Sequence, residues 1–297
     1  MTPPLEEAVV FDCQGERLVG VIAHPASSST GDKRPKEVGV VVIVGGPQYR
    51  VGSHRQFLHL ARALAAEGYP VMRFDVRGMG DSTGDLHTFE HITPDIGRAI
   101  DTLQHCAPQV RHVVLWGLCD GASAALLYCQ DTSDARVKGL CLLNPWVRSE
   151  ASLAKTHVKH YYTQRLRQRE FWVKLFSGQV AWGALAGLGR NIKMALSRPS
   201  AGPSAAQLPY QDRMAVAWDD FEGDMLLLLS GDDYTAKEFL EHTGSSPAWS
   251  LALVKERLIQ RIEPEADHTF SQRRFDAVVP NHALDLLGRL PPAQEAR

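Results

Sequence analysis

The chain has 297 residues, of which 44% are hydrophobic and 22% charged, as in ordinary globular proteins. A chain of this length can bury a large core without disulfides or metal. Its formal net charge of −2 excludes the strongly basic surface typical of nucleic-acid-binding proteins, so no nucleic-acid partner is expected.

Apolar runs and helical patterns alternate along the chain, which is typical of a parallel sheet with crossover helices. Strands are predicted at 8–13, 17–23, 38–44, 71–74, 113–116, 137–143, 224–230 and 258–262. Helices are predicted at 54–66, 95–106, 122–129, 236–242 and 275–287. The first two strands are expected to form a hairpin that turns at Gln14 and Gly15.

The alternation is interrupted between residues 145 and 222, where glycine-rich and proline-rich pieces replace the apolar runs. We interpret this segment as a helical cap inserted into a core formed by residues 1–144 and 223–297. Within it, residues 151–180 carry six Lys or Arg against one Glu, interleaved with aromatic side chains. A solvated helix face explains this pattern best, and the alternative is a surface for an anionic glycan, an acyl carrier or a membrane.

Targeting and cofactor signals are missing from the sequence. The first residues carry acids where a signal peptide has a basic region, and the longest apolar runs are far shorter than the ~20 residues of a membrane-spanning helix. The five cysteines are odd in number and form no CxxC pair, which argues against a disulfide framework or a zinc cluster. We therefore expect a cytoplasmic protein with no membrane span, no metal and no cofactor.

The strongest chemical signal is the pattern Gly117-x-Cys119-x-Gly121, which lies between a predicted buried strand and a predicted helix. This is the arrangement of a nucleophile elbow, with cysteine where serine is more usual. The glycines leave room for neighbouring backbone, and the helix N-terminus favours a thiolate. The alternative is a buried structural cysteine beside two packing glycines.

A cysteine nucleophile needs a base, and in this fold the order along the chain is nucleophile, acid, histidine. A buried strand ends at Asp232 and Asp233, and a later strand leads into a loop that carries Asp267 and His268. We expect His268 to take the proton of Cys119 and Asp233 to orient the imidazole. Asp232 is the alternative acid, although it is the better candidate for capping the next helix, and Asp267 is expected to have a structural role in its loop.

The oxyanion hole should combine the backbone N–H of Asp120 with a second donor from the loop after residues 38–44. Pro47 has no N–H, so this donor is Gly46 or Gln48. Arg50 and His54 follow closely and are candidates to face an anionic group of the substrate, with exposed polar residues as the alternative.

These motifs resemble the α/β-hydrolase superfamily over about residues 8–290. More narrowly, the segments 45–55, 117–122 and 266–270 resemble the type-1 exosortase A system-associated hydrolases, bacterial proteins encoded beside exopolysaccharide and protein-sorting genes. The resemblance implies a mostly parallel sheet flanked by helices and a hydrolase. The chain departs from most esterases in using cysteine, and Val44 stands where a histidine is frequent.

The resulting hypothesis is a Cys-His-Asp acyl hydrolase that acts on an ester, thioester or lactone, either as a small molecule or on an acyl carrier. Because the acyl-cysteine intermediate can also react with an amine or alcohol, an acyltransferase is the first alternative. The second is a non-catalytic scaffold of the polysaccharide or sorting machinery that retains the elbow as architecture.

Overall fold

The computed structural model of the chain describes residues 4–25, 36–46, 48–148 and 208–290. The described strands are β1 (Leu5–Cys13), β2 (Glu16–His24), β3 (Val38–Ile43), β4 (Val71–Phe74), β5 (His112–Leu118), β6 (Val137–Leu143), β7 (Asp224–Ser230) and β8 (Leu258–Glu263). The described α-helices are α1 (Gln56–Ala66), α2 (Thr93–Cys106), α3 (Asp120–Thr132), α4 (Tyr210–Asp220), α5 (Tyr234–Ser245) and α6 (Val278–Leu287). None of these helices is long and apolar enough to cross a membrane.

The strands form one eight-stranded sheet in the order β1-β2-β4-β3-β5-β6-β7-β8. The pairs β1-β2 and β2-β4 are antiparallel, and every pair from β4 onward in this order is parallel. All residues of β3 and nearly all of β5 are buried, as expected for central strands covered on both faces. The predicted fold class, a mostly parallel sheet flanked by helices, is therefore confirmed.

Several predicted boundaries differ from the structure for local reasons. Helix α1 begins at Gln56 rather than at residue 54, because His54 and Arg55 have φ values of 54° and 61°, outside the right-handed helical region. Helix α6 begins at Val278 rather than at residue 275, because Arg273–Phe275 forms a separate 3-10 turn. Hydrophobic periodicity carries no information on backbone dihedral angles, so it does not locate either boundary.

The expected inserted cap, including its basic stretch at 151–180, lies largely outside the described residues. The chain divides into one unit formed by Met1–Trp146 and Leu208–Arg297 and a second formed by Val147–Gln207. Helix α4 belongs to the first unit, where it packs against α3 and where Trp218 is fully buried against Phe239 and Trp249. Residues 208–222, which the sequence analysis places in the insertion, are thus grouped with the unit that carries the sheet, and the bounds of the insertion stay a prediction.

Candidate active site

The turn between β5 and α3 holds Cys119 in a strained backbone conformation, with φ 61° and ψ −127°. Side-chain-bearing residues rarely adopt positive φ, and such strain is concentrated at functional sites. The Cys119 N–H donates to the Leu143 carbonyl at 2.9 Å, which ties the turn to the end of β6. Since α3 begins at Asp120, the half-buried thiol stands at the positive end of a helix.

The two glycines of the motif are required by close backbone packing. A Cβ on Gly117 would lie 2.4 Å from the Gly121 carbonyl carbon, and a Cβ on Gly121 would lie 2.5 Å from the Ile43 carbonyl oxygen. The turn thus brings β3, β5 and α3 together, and the steric reason predicted for the motif is confirmed.

The remaining cysteines have surroundings that favour the thiol. Cys13 and Cys141 are buried, and burial raises the pKa of each. Burial also raises the pKa of Cys106, and it raises that of Cys129 to about 12. None of the four lies in a turn that follows a parallel strand at its carboxyl end.

Asp233 and His268 meet at the carboxyl edge of the sheet, after β7 and β8 respectively. The distance between His268 Nδ1 and Asp233 Oδ2 is 2.8 Å. Asp233 also caps α5, because its carboxylate accepts the Thr235 and Ala236 N–H groups at 3.2 Å each. The expectation that Asp232 caps this helix is therefore wrong: Asp232 is exposed, and Asp233 fulfils both functions because its two oxygens offer several acceptor sites.

The loop that carries His268 is held from two sides. The Asp267 carboxylate accepts the N–H groups of Thr269 at 3.1 Å and Ser271 at 2.9 Å, in keeping with the structural role expected for Asp267. On the other side, Asn144 Nδ2 donates to the His268 carbonyl at 3.2 Å.

Asn144 itself is fully buried and also exchanges hydrogen bonds with Ser230, at the end of β7. Sequence reasoning missed this residue. The available signal was a polar side chain immediately after the buried run of β6.

The side chain of Asp120 lies against the loop after β3. A Cβ on Gly45 would be 2.0 Å from Asp120 Oδ1, so only glycine permits this approach. Burial raises the pKa of the Asp120 carboxyl, although the N–H groups of Gly46, Asp120 itself and Gly121 and the charge of His268 act to lower it. The charge of the His268 imidazole therefore acts on the carboxyl of Asp120, the residue that follows Cys119.

The two candidates for the second oxyanion donor differ in their bonding. The Gln48 N–H already donates to the Gly46 carbonyl at 2.8 Å, and the Gln48 side chain accepts the Ser53 N–H at 3.2 Å. The Gly46 N–H lies near the Asp120 carboxyl, whose Oδ1 has no hydrogen-bond partner among the described residues. Because its N–H is not engaged within its own loop as that of Gln48 is, Gly46 is the better candidate for the donor.

Arg50 and His54 interact with other parts of the protein. The Arg50 guanidinium pairs with the buried carboxylate of Asp75 and, at 2.7 Å, with Asp81. His54 is exposed, and its charge contributes to lowering the pKa of Asp267. The charge of Arg50 is thus already compensated within the fold, which argues against its use for an anionic group of the substrate.

A cavity of about 810 Å³ opens beside the turn. Asp120, Gly46 and Gln48 line one side, whereas Cys119, His268, Arg50 and His54 are not among its described lining residues. Most of the remaining wall is apolar and includes Val44, Val76, Met79, Leu86, Phe89 and Ile92. Across the described ranges, no group of three or more His, Cys, Asp or Glu side chains is placed to hold a metal ion.

Comparison with solved structures finds the same fold in several proteins. An esterase of Pyrococcus furiosus has a TM-score of 0.61 at 15% identity, covering 96% of this chain and 91% of that one. Est1E of Butyrivibrio proteoclasticus, solved with ferulic acid, has a TM-score of 0.58 at 13% identity, covering 95% and 100%. Mouse alpha/beta hydrolase domain-containing protein 10 has a TM-score of 0.57 at 14% identity, covering 96% and 100%.

Comparison of sequences identifies a family but no curated relative. No curated protein matches the chain significantly. The family profile described as "Serine aminopeptidase, S33" matches residues 35–183, half of the chain, including the Gly45–Gly46 loop and the turn that carries Cys119. The chain therefore belongs to the S33 serine aminopeptidase family of the α/β-hydrolase superfamily, with a cysteine at the centre of its G-x-C-x-G turn.

Proposed function

We propose that the protein is an acyl hydrolase in which Cys119 is the nucleophile, His268 the general base and Asp233 the residue that orients His268. The observation that carries the proposal is the 2.8 Å contact between His268 Nδ1 and Asp233 Oδ2, formed at the same sheet edge as the strained turn of Cys119. A carboxylate bound at Nδ1 fixes the tautomer and leaves Nε2 to exchange a proton with the thiol.

The mechanism follows from these positions. Cys119 Sγ, deprotonated by His268, forms a bond to the substrate carbonyl carbon, and the C=O bond opens to an oxyanion held by the N–H groups of Asp120 and Gly46. Collapse of this intermediate breaks the bond to the leaving group, which takes the proton from His268. Water, deprotonated by His268, then attacks the thioester and releases the acid, and the thiol is restored.

The cavity beside the turn indicates the class of substrate. Its apolar wall, with Met79, Leu86 and Phe89, favours an uncharged or apolar acyl group, and its volume of about 810 Å³ is within the range of small-molecule sites. The pairing of Arg50 with Asp75 and Asp81 removes the nearest expected cation, which argues against an acyl group that carries a carboxylate.

The biological setting rests on the sequence resemblance described above. We propose a link to bacterial exopolysaccharide or exosortase systems, so acylated oligosaccharides and acyl-carrier thioesters belong in any substrate panel. We also propose a cytoplasmic location, which the free state of all five cysteines supports.

The test is steady-state hydrolysis of a panel of activated esters, thioesters and lactones by the full chain and by Cys119→Ala. The variant is expected to lose at least ~10³-fold in kcat/KM, because a covalent nucleophile is removed. Cys141→Ala, which removes a buried thiol away from the turn, is the matched control and should retain activity once folding is verified. Equal activity of Cys119→Ala and the full chain would contradict the proposal.

The same assay separates hydrolysis from acyl transfer. If hydrolysis is the reaction, adding a sugar acceptor will change neither the rate of leaving-group release nor the yield of free acid. Diversion of the acyl group onto the acceptor would favour an acyltransferase. Absence of turnover on the whole panel, with Cys119 unreactive toward every substrate, would favour the non-catalytic scaffold.

A further inference from the structure

The cavity beside the turn is lined by an acid that the proposed mechanism does not use, Glu90. This residue lies in the 3-10 turn Phe89–His91, which packs against α3, the helix that begins directly after Cys119. Glu90 is half-buried and lines the same cavity as Gly46 and Asp120, whose N–H groups are the proposed oxyanion donors. A substrate held at these donors can therefore reach Glu90 within the cavity.

Glu90 has no counter-charge in the described part of the chain. Its side chain makes no ion pair and no hydrogen bond with the described residues, and no Lys or Arg is among the described residues that line the cavity. Most of the surrounding wall is apolar, so the structure supplies little compensation for the charge of the carboxylate. A cationic group brought by a ligand would supply it.

The other titratable groups near the cavity do not reverse its charge. Asp120 adds a second carboxyl to the wall, and His87 adds an imidazole. Arg50, on the loop after β3, is paired with Asp75 and Asp81. With the imidazole neutral, the titratable groups of the described wall carry only negative charge, which repels an anionic group and attracts a cationic one.

Aromatic side chains on the same wall suit an organic cation. Phe89 precedes Glu90 in the 3-10 turn, and Tyr49 lies on the loop after β3; both line the cavity. The electron-rich faces of aromatic rings attract ammonium groups, and quaternary ammonium ligands are recognised by such rings. The Arg50 guanidinium already lies 5.9 Å from the centre of the Tyr49 ring, which shows that this ring accepts a cation.

We propose that Glu90 selects substrates that carry a cationic group, such as an ammonium, at the end of the acyl or alcohol part that occupies the cavity. This inference rests on the proposed function and sharpens its substrate class: the apolar wall binds the aliphatic part of the substrate, and Glu90 pairs with its charged end. Esters and thioesters with carboxylate or phosphate groups are correspondingly disfavoured. The competing explanation is a solvated carboxylate with no part in binding.

Two matched sets of esters that differ only in charge test the proposal. The first consists of the p-nitrophenyl esters of γ-butyrobetaine, which is cationic, of its neutral isostere with carbon in place of nitrogen, and of glutaric acid as the anionic monoester. The second carries the charge in the alcohol part and consists of the butyrates of choline, of its carbon isostere and of hydracrylic acid. Ratios of kcat/KM within a set cancel any general effect of a substitution on folding or on the nucleophile.

These ratios are to be measured for the full chain, Glu90→Gln and Glu90→Lys. In the set whose charged part occupies the cavity, Glu90→Gln should lower the cationic-to-neutral ratio about three- to tenfold, as for the loss of one partly exposed ion pair. Glu90→Lys should lower it further and raise the anionic-to-neutral ratio. Asp85→Asn makes the same charge change at an exposed residue that is not among the described lining residues, so it is the control and should follow the full chain.

Unchanged ratios in both Glu90 variants, in both sets of esters, would overturn the role of Glu90 and leave the proposed function standing. A comparable fall in Asp85→Asn would also overturn it, because the effect would then come from net charge rather than from a group in the cavity. Absence of turnover of every ester by the full chain would overturn this inference together with the proposed function. Glu90→Gln conserves size, and circular dichroism verifies that each variant is folded.

Discussion

Asp233 and Asp120 occupy similar places in the fold and have opposite surroundings. Each follows a parallel strand at the carboxyl edge of the sheet, Asp233 as the N-cap of α5 and Asp120 as the first residue of α3. The carboxylate of Asp233 accepts two backbone N–H groups and contacts the His268 imidazole. Asp120 has a raised pKa and an oxygen, Oδ1, that is buried without a partner in the described part of the chain.

The difference shows that burial alone does not decide what an aspartate does at this edge. Because the Asp233 carboxylate is fixed by backbone N–H groups, it can hold the His268 imidazole in one orientation. Asp120 is suited to change its charge, because its surroundings leave the ionised form poorly compensated. A third case, Asp75, is buried and is compensated by the Arg50 guanidinium and by the N–H groups of Arg50 and Asp81.

The largest expected effect is on activity when Asp233 becomes asparagine. Asparagine retains the helix cap but no longer fixes the tautomer of His268 in which Nε2 accepts the proton, so kcat/KM should fall roughly 10²–10⁴-fold. Hydrolysis of the best substrate in the panel measures this loss, and thermal unfolding should show little change. The exposed neighbour is the control: Asp232→Asn should stay within about twofold of the full chain. A comparable loss of kcat/KM in Asp233→Asn and Asp232→Asn would contradict the specific role proposed for Asp233 in orienting His268.

A medium effect is expected on stability when Arg50 becomes alanine. The variant turns Asp75 into a buried carboxylate without its cation, which resembles the situation of Asp120, and should lower the free energy of unfolding by about 2–3 kcal/mol. Urea unfolding measures the loss. The exposed Arg55→Ala in the same loop serves as the control and should change stability by less than ~0.5 kcal/mol. Arg50→Ala should leave the preference between neutral and anionic substrates unaltered; a selective loss for anionic substrates would assign Arg50 to the binding site after all.

The smallest effect is expected on the pH dependence of stability when Asp120 becomes asparagine. Because the pKa of Asp120 is raised in the folded state, the folded protein binds more protons than the unfolded chain above an unfolded-state pKa of ~3.9. The full chain therefore loses stability as pH rises from there through the folded-state pKa, and the variant does not. Urea unfolding across this window should show the stability of Asp120→Asn increasing relative to the full chain and then levelling off. If the stability of Asp120→Asn relative to the full chain decreases with pH instead, the favourable interaction of the ionised carboxylate with the dipole of α3 outweighs the cost of burying its charge.

Much of the fold could be predicted from the sequence because strands buried on both faces leave a simple signal. The apolar runs at 38–44 and 224–230 correspond to β3 and β7, and the steric requirement for Gly117 and Gly121 follows from the type of turn alone. Boundaries were less predictable where the backbone leaves the helical region without a glycine or proline, as at His54 and Arg55.

The residues of the candidate site could be proposed from the sequence, but their contacts could not. Chain order and strand ends point to Asp233 and His268, whereas the dual role of Asp233 depends on how its two oxygens are aimed. The pairing of Arg50 with Asp75 is a contact between two loops, and hydrophobic periodicity does not indicate which loops contact each other. The bracing of the His268 loop by Asn144 is likewise a long-range contact that one sequence does not reveal.

The central claim is that the acyl group of the substrate passes through a covalent bond to one sulfur atom. Intact-mass analysis of the full chain, acid-quenched during turnover of an activated ester, tests it directly. We expect a single added acyl group, mapped to the peptide that carries Cys119, with its decay slowed in His268→Ala because water is no longer activated. Turnover without any adduct in either protein, or an adduct on another residue, would contradict the account.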